Sequence, residues 1–299
     1  MAEWDAEIVV SPGLARELIR EQFPGLGRTV EPFGSGWDNT AYLVDGELVF
    51  RFPRRGIAVA LIETEARVLP RIAPHLPLPI SCPAWIGAGT ERFPWPFAGY
   101  RRLAGRTSAS VELTPDERRV AAAPLAEFLR TLHAIPMDGL ALPGDDFHRT
   151  DFTRRMPKLA AALRELEDAG IVAGARRWLR PFEADDLPAP AARPVPVHGD
   201  LYELHILVDD AHRVSGVIDW GDVHAGDPGL DLSFLYRFFP AAARDDFLRV
   251  YGDVDARTAR MARLRAVYHA VVITQYAHSI GDATLLRTAR TSLDYVLEE

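Results

Sequence analysis

Residues 197–210 read VHGDLYELHILVDD, a polar loop that runs directly into a short apolar segment. The loop contains Asp200 after a His-Gly pair, and His205 stands five residues later. A second carboxylate, Asp219, follows the apolar run 214–218 within the sequence GVIDWGD. The 19-residue separation of the two carboxylates predicts a loop–strand–turn–strand unit that presents both of them at one end.

Two carboxylates held in this way suit phosphoryl transfer. One carboxylate accepts the proton of the attacking hydroxyl, and the other holds the magnesium that bridges the nucleotide phosphates. His205 stands where a third group of the site is needed, although magnesium prefers oxygen ligands. Three interpretations of His205 follow: it binds the metal, it leaves that place to water, or the site has lost activity.

The composition describes an acidic globular chain. A length of 299 residues with 48% hydrophobic content is enough for one large or two medium domains. The net charge of −8 argues against a basic surface for nucleic acid, so no nucleic-acid partner is expected. Cys82 is the only cysteine, so the chain can form neither an internal disulfide nor a cysteine-based zinc site.

The sequence shows no sign of a membrane or secretory segment. The opening residues MAEWDAEIVV lack a basic region followed by an apolar run, which a secretory signal requires. No run of about 18 apolar residues occurs, so no transmembrane helix is expected. These features predict a cytoplasmic protein without a membrane partner, and they leave the oligomeric state open.

The first third of the chain predicts a small β-rich unit with one prominent helix. An initial helix should follow Ser11 and Pro12 and end before Pro24. The segments TAYLV and ELVFRF flank the turn at Asp45 and Gly46, which predicts a β-hairpin. The apolar spacing of IAVALIETEARVLPRIAPHL predicts the prominent helix. The segments CPAWIGAG and PWPFAGYRRL predict two further strands.

From about Thr114 the pattern becomes helical. Thr114 is predicted to cap a helix that starts at Pro115, with Glu117 completing a capping box. The chain that follows the second carboxylate is also mostly helical by its apolar spacing. We therefore predict an α+β fold with two lobes, residues 1–102 and 103–299, and a ligand cleft between them.

Three motifs occur in an order that is typical of one enzyme family. They are HGDLYELHILV, VIDWGD and GDPGLDLS, and with the β-rich segment they cover most of the chain. The chain resembles the aminoglycoside phosphotransferase family. It is most similar to the branch of macrolide and 2″-aminoglycoside phosphotransferases, which also carry a histidine at the position of His205. The resemblance implies a bilobal protein-kinase-like fold, with a small β-rich N-lobe containing one helix and a larger, mainly helical C-lobe.

The resemblance also implies a function and its cofactors. It predicts a small-molecule kinase that moves the γ-phosphoryl group of ATP or GTP to a substrate hydroxyl with the help of Mg²⁺. The histidine-containing branch makes GTP a serious alternative to ATP. The partners are then a nucleoside triphosphate and a hydroxylated acceptor of the aminoglycoside or macrolide type. Two alternatives stay open: a metabolic kinase for a choline-, homoserine- or sugar-like acceptor, and an inactive nucleotide-binding pseudokinase.

The N-lobe should hold the nucleotide. The loop FGSGWDN is shorter than the full protein-kinase spacing, but its glycines would let backbone amides approach phosphates closely. Arg51 stands where kinases carry a lysine, and Glu65, rather than Glu63, is its expected partner. The predicted nucleotide-binding residues are Gly34, Ser35, Gly36, Arg51, Glu65, Tyr100, Arg101 and Leu103, the last three through backbone groups around the hinge.

The C-lobe should carry the chemistry. Asp200 corresponds to the catalytic base, and Asp219 and His205 correspond to the metal ligands, with Trp220 in place of the usual phenylalanine. Structural support of the loop is expected from His198, Asp227 and Asp231.

The acceptor site is the least determined part of the prediction. Tyr202 and Glu203 stand where macrolide enzymes have His-Pro, which leaves the acceptor open. Asp222 and His224 are weaker candidates for contact with it. Polar residues also interrupt the apolar helix VYHAVVITQYAHSIGD, and each of them alone is best explained as part of a solvated face.

Overall fold

The structure is a computed structural model that describes residues 6–183 and 187–298. Residues 1–5, 184–186 and 299 of the two predicted lobes lie outside the described residues. The amino-terminal part combines one sheet with two helices. Its elements are α1 (Pro12–Gln22), β1 (Val30–Ser35), β2 (Asn39–Val44), β3 (Leu48–Pro53), α2 (Ile57–Ile72), β4 (Pro83–Gly87) and β5 (Phe97–Arg101).

The five strands form an antiparallel sheet in the order β1-β2-β3-β5-β4. The predicted hairpin is confirmed: β2 pairs with β3 from Asn39 opposite Pro53 to Val44 opposite Leu48. Asp45 and Gly46 both have positive φ angles, of 52° and 76°, as tight hairpin turns require. The predicted start of α1 is also confirmed, because the Ser11 side chain accepts a hydrogen bond from the Leu14 amide.

Aromatic rings fill the core between this sheet and α1. The rings of Phe52 and Phe97 stack with centroids 4.6 Å apart, and Phe50 lies fully buried beside them. Gly99 on β5 faces Phe50 across the sheet. An added Cβ at Gly99 would lie 2.5 Å from the Phe50 ring, so this position has room only for glycine.

The rest of the chain is mainly helical, with five short strands. Helix α3 begins with the predicted capping box, in which Thr114 and Glu117 each bind the other's backbone amide. Among the described residues, no helix is both long enough and apolar enough to cross a bilayer. The elements are β6 (Arg106–Thr107), α3 (Pro115–Ala134), α4 (Phe152–Asp168), α5 (Ala175–Leu179), β7 (Val195–Val197), β8 (Ile206–Val208), β9 (Val214–Val217), β10 (His224–Gly226), α6 (Gly229–Phe238), α7 (Ala241–Tyr251), α8 (Ala256–Ser279) and α9 (Ala283–Leu297).

The short strands set the ends of the functional loops. Strands β8 and β9 pair antiparallel, with Ile206 opposite Val217, so the segments before β8 and after β9 emerge at the same end. Strands β7 and β10 pair with Val197 opposite His224, which brings the start of the HGD loop beside the segment after Asp219. Helix α8 packs against α6, α9 and α4 and forms the centre of the helical part.

We expect Gly99→Ala to lower the free energy of unfolding by about 1–3 kcal/mol, because the new methyl group overpacks the core against Phe50. Urea unfolding followed by circular dichroism measures this change. Gly13→Ala in α1 is the control, since the nearest atom to an added Cβ there is 3.8 Å away. Equal midpoints for the two variants would contradict the close-packing explanation.

Candidate active site

A buried carboxylate holds the HGD loop in place. Asp231, in the first turn of α6, is fully buried. Its two oxygens accept hydrogen bonds from the backbone amides of His198 at 2.8 Å and Gly199 at 2.9 Å. His133 of α3 lies 3.1 Å from the same carboxylate and 2.8 Å from the Tyr251 hydroxyl. Burial by itself raises the pKa of Asp231, but the His133 contact and the amide hydrogen bonds outweigh it and lower that pKa.

The first two residues of the loop are fixed by packing as well as by Asp231. The His198 imidazole is fully buried and lies 3.0 Å from the Ile218 carbonyl oxygen, so it links the HGD loop to the segment before Asp219. Burial lowers the pKa of His198, which keeps the ring neutral and suits a bracing role. Gly199 has a φ of +85°, and an added Cβ would lie 2.4 Å from the Asp222 carbonyl oxygen.

His205 lies between the two acidic residues that the sequence singled out. Its Nδ1 is 2.7 Å from the backbone carbonyl oxygen of Asp200, and its Nε2 is 3.3 Å from Oδ2 of Asp219. Asp219 has a φ of 64°, a left-handed conformation that aspartate tolerates better than most residues. The structure thus brings Asp200 and Asp219 to opposite sides of one imidazole.

Arg51 joins the sheet to this loop. Its Nη2 donates to Oδ1 of Asp219 at 2.8 Å, and its Nη1 donates to Glu65 at 3.1 Å. Glu65 is fully buried and also accepts a hydrogen bond from the Tyr100 hydroxyl at 2.9 Å, whereas Glu63 is exposed. Burial raises the pKa of Glu65 against the opposing effect of Arg51. The arginine therefore connects strand β3, helix α2 and Asp219 in one charged group.

The residues around Asp219 fit a magnesium ion only if other groups complete its coordination. Among the described residues, no group of three or more His, Cys, Asp or Glu side chains could hold a metal ion. The pair formed by His205 and Asp219 still offers two donors. With Nδ1 of His205 against a carbonyl oxygen, Nε2 is the nitrogen that would bind a cation. Burial by itself lowers the pKa of His205, but the contact with Asp219 outweighs it and raises that pKa, so a bound cation would replace the proton on Nε2. Two neighbouring ligands of octahedral magnesium are about 3.0 Å apart, close to the 3.3 Å observed. Magnesium in such enzymes keeps waters and takes phosphate oxygens, which supply the remaining ligands.

The glycine loop forms the turn between β1 and β2. Gly34 and Ser35 pair with Ala41 and Thr40, and the Gly36 amide donates to the Asn39 carbonyl oxygen at 3.0 Å. An added Cβ at Gly34 or Gly36 would meet nothing within 4 Å. Space beside these glycines is therefore open to a ligand.

The predicted hinge residues have different surroundings. Tyr100 is buried and its hydroxyl is committed to Glu65. The Arg101 guanidinium lies 5.6 Å from the Trp85 ring. The Leu103 side chain lies close to Gly216 on β9. Only the backbone groups of this segment stay candidates for nucleotide contact.

A buried arginine and histidine support Asp200 from the helical side. Nη1 of Arg237 donates to Nδ1 of His269 at 2.9 Å, and Nη2 donates to the Leu201 carbonyl oxygen at 2.7 Å. Because Nδ1 accepts, the proton of neutral His269 is on Nε2, which lies 3.3 Å from Oδ1 of Asp200. Burial and the Arg237 charge lower the pKa of His269 to about 3. A neutral His269 thus donates to the candidate catalytic carboxylate.

The four acceptor candidates are placed differently. The Tyr202 ring packs between His205 and His269, next to both carboxylates. Glu203 is buried, and its side chain accepts a hydrogen bond from Ser292 on α9 at 2.7 Å. This favours a structural role over substrate contact.

Asp222 and His224 follow Asp219 in the chain. Asp222 is paired with Arg149. His224 is buried, and its Nδ1 lies 2.7 Å from the Asp222 carbonyl oxygen.

Of the predicted support residues, Asp227 accepts hydrogen bonds from the amides of Gly229 and Ala191 and pairs with Arg257. It therefore holds the turn that leads into α6.

Sequence reasoning missed the contributions of Arg237, His269 and Arg149. An arginine inside the apolar run LSFLYRFF was a usable signal, because a buried arginine needs a partner. His269 looked like any polar residue on a helix. Arg149 lies before α4, far from the motifs in sequence, and no local pattern marks it.

Comparison with known proteins identifies the family. The APH family model, described as Phosphotransferase enzyme family, matches residues 29–267, which is most of the chain. The chain belongs to this phosphotransferase family. The resemblance inferred from the three motifs is therefore confirmed.

Two curated relatives of the phosphotransferase match over part of their length. Viomycin phosphotransferase from Streptomyces vinaceus is 31% identical over 177 residues, covering 53% of this chain and 58% of that protein. The uncharacterized protein YcbJ from Bacillus subtilis (strain 168) is 33% identical over 61 residues, 20% of each chain. The chain thus spans less than two thirds of the length of these relatives.

Solved structures match over nearly the whole chain. The GDP complex of aminoglycoside 2'-phosphotransferase-IIIa has a TM-score of 0.69 at 22% identity, covering 96% of this chain and 99% of that one. Macrolide 2'-phosphotransferase type I has a TM-score of 0.62 at 25% identity, covering 96% and 98%. These matches confirm the predicted α+β fold, with its β-rich amino-terminal part and helical carboxy-terminal part.

We expect Asp231→Asn to destabilise the phosphotransferase by about 2–4 kcal/mol. The amide offers one acceptor oxygen where the carboxylate serves two backbone amides and His133, so a buried donor loses its partner. Chemical denaturation measures the change. Asp210→Asn, at an exposed position, is the control, and a similar loss of stability in both variants would contradict the bracing role.

We expect His269 to make folding stability depend on pH. The pKa of His269 is about 3 in the folded protein and about 6.5 when unfolded. Its contribution is therefore complete above pH 6.5 and is lost as the pH falls towards 3, because the unfolded chain then binds the extra proton. Below pH 6.5, wild-type protein should lose stability more steeply than His269→Gln, by at most about 1.4 kcal/mol per pH unit. Denaturant unfolding across pH 5–8 measures both slopes. His75→Gln, at an exposed histidine, should keep the wild-type slope, and equal slopes in all three proteins would refute the buried neutral state.

Proposed function

We propose that this chain is a small-molecule kinase that transfers the γ-phosphoryl group of ATP or GTP to a substrate hydroxyl. One observation carries the proposal: His205 stands between Asp200 and Asp219, and Arg51 links Asp219 to the buried Glu65. This arrangement contains the parts that phosphoryl transfer uses, namely a carboxylate for the hydroxyl, a carboxylate for the metal and a cation for the phosphates.

Asp200 acts on the attacking hydroxyl. Burial by itself raises the pKa of Asp200, but the hydrogen bond from His269 and the nearby histidine and Arg149 charges outweigh it and lower that pKa below the usual range. The carboxylate is therefore ionised and a weak base. Its main contribution is to orient the hydroxyl, and it accepts the proton as the bond to phosphorus forms, since little base strength is needed in a loose transition state.

Asp219, His205 and Arg51 act on the donor. Asp219 and His205 would hold a magnesium ion, which would supply charge neutralisation on the nucleotide phosphates. Arg51 stays protonated and makes bidentate contacts that suit phosphate. The glycine loop of β1 and β2 closes over the phosphates with backbone amides. Solved structures similar to this chain contain GDP, and one contains ATP with streptomycin, so both nucleotides are candidate donors.

An antibiotic hydroxyl is the acceptor class that the relatives support. Proteins similar to this chain include a viomycin phosphotransferase and a macrolide 2'-phosphotransferase, and one similar structure contains bound kanamycin. A mass-spectrometric screen for products 80 Da heavier than each acceptor, run with ATP and GTP in parallel, tests this function. The screen should include hydroxylated metabolites, because a metabolic kinase would give products only from that group.

We expect Asp200→Asn to lower kcat by at least about 10²-fold while the affinity for nucleotide stays within about twofold. The substitution removes the proton acceptor next to the hydroxyl and leaves Arg51 and Asp219 in place. Steady-state kinetics and nucleotide titration by fluorescence measure the two effects. Asp210→Asn is the matched control on the same segment. Unchanged turnover in Asp200→Asn would refute the assignment of the base, and nucleotide binding without any transfer by the wild type would instead favour a pseudokinase.

A further inference from the structure

An arginine without an acceptor lies one helical turn from His269. Arg265 is on α8, and its residue is only 6% exposed. Within residues 6–183 and 187–298, no hydrogen-bond acceptor or carboxylate pairs with its guanidinium. The guanidinium carbon lies 5.4 Å from the centroid of the Tyr268 ring. Positions four apart on a helix share one face, so Arg265 lies on the same face of α8 as His269, which contacts Asp200.

Two further arginines approach Arg265 from the segment around α4. Arg155 lies 5.7 Å from the Tyr268 ring, and among the residues that the structure describes it donates only to the carbonyl oxygens of Phe147 and His148. Arg149 is matched by Asp222 and Asp145. Burial lowers the pKa of Arg265 to about 10, Asp200 opposes that effect, and the charges of Arg149 and Arg155 add to it. Arg149 is therefore matched by carboxylates, whereas no carboxylate among the described residues lies within ion-pairing distance of Arg265.

A buried cation without a partner costs stability. Replacing such a group by an apolar residue of similar size is often neutral or stabilising. A destabilising residue of this kind is commonly retained where it binds a ligand, because the loss of stability is offset by the gain in function. The unmatched charge of Arg265 therefore points to a ligand that brings the missing negative charge.

The position of Arg265 points to the acceptor rather than to the nucleotide. Arg51 approaches Asp219 from the sheet, whereas α8 approaches Asp200 from the helical side. The Trp37 ring of the glycine loop meets Tyr276 of α8 at 5.0 Å, and Lys158 of α4 lies 5.9 Å from the same Trp37 ring. The glycine loop therefore contacts both α4, which carries Arg155 and Lys158, and α8, which carries Arg265.

We propose that Arg265 and Arg155 bind an anionic group of the hydroxylated acceptor, either a carboxylate or a phosphate ester. This proposal rests on the proposed phosphotransferase function, and within that function it favours an anionic acceptor over the aminoglycosides bound by similar structures. Guanidinium groups bind both anions by paired, charge-assisted hydrogen bonds. The same charges repel a polycationic aminoglycoside, so such an antibiotic is a poor acceptor for this chain.

Matched acceptor pairs test the proposal on the full chain. One arm compares hydroxylated carboxylic acids with their methyl esters, another compares sugar phosphates with the parent sugars, and kanamycin is included as a polycation. Each compound is assayed for phosphorylated product by mass spectrometry and for binding by calorimetry with a non-hydrolysable nucleotide present. We expect the anionic compounds of one arm, either the hydroxylated carboxylic acids or the sugar phosphates, to bind and to be phosphorylated. The matched neutral compounds, the methyl esters or the parent sugars, should bind at least tenfold more weakly.

Arg265→Met is the decisive variant, with Arg263→Met as its control. Arg263 is exposed on the same helix, so both variants lose the same charge. We expect Arg265→Met to lower kcat/KM for the anionic acceptor at least tenfold and to raise the melting temperature, because an uncompensated buried charge is removed. Arg265→Lys should recover part of the affinity. Arg263→Met should change kcat/KM by less than about twofold.

The outcomes separate this proposal from the function on which it rests. Products only from neutral or cationic acceptors, or no binding in either anionic arm, overturn the anionic acceptor and leave the kinase assignment in place. A lower melting temperature for Arg265→Met with unchanged kcat/KM overturns it too, since Arg265 would then be structural. A wild-type protein that turns over no nucleotide with any acceptor overturns the kinase function itself.

Discussion

The buried carboxylate of Asp231 is the constraint on which the site depends. It accepts hydrogen bonds from two backbone amides of the HGD loop and so fixes their positions. A buried amide left without a partner would cost about 1–3 kcal/mol of stability. Helix α6 carries Asp231, and His133 of α3 and Tyr251 of α7 complete the network. The direction of the Asp200 side chain is therefore set by the packing of three helices rather than by the loop itself.

The two carboxylates of the site are held by hydrogen-bond donors from opposite parts of the fold. Asp219 receives Arg51 from the sheet, and Asp200 receives His269 from the helical part. His205 lies between them and contacts the Asp219 carboxylate and the backbone carbonyl oxygen of Asp200. This division explains why the HGD motif alone is weak evidence of function. The HGD loop has its charged surroundings only because strand β3, with Arg51, and helix α8, with His269, pack beside it.

The region beside Asp200 also shows how stability and function oppose each other. The helical core around α8 is closely packed and apolar, yet it retains Arg265 with no partner among the described residues. Arg237 on α6 is also buried, but its guanidinium donates hydrogen bonds to the Leu201 carbonyl oxygen and to His269. The two buried arginines therefore differ in that Arg237 has hydrogen-bond acceptors and Arg265 has none among the described residues.

Local patterns in the sequence determined much of this protein. Capping residues, the turn at Asp45 and Gly46 and the apolar spacing predicted α1, α3 and the β2–β3 hairpin, because these features depend on neighbours a few residues away. The three motifs were sufficient to predict the family and the α+β fold. The tertiary structure decided which charges meet: Arg51 with Asp219, Arg237 with His269, and Arg149 with Asp222. Those partners are separated by 168, 32 and 73 residues, and no local pattern specifies contacts that arise only when the sheet and the helices pack together.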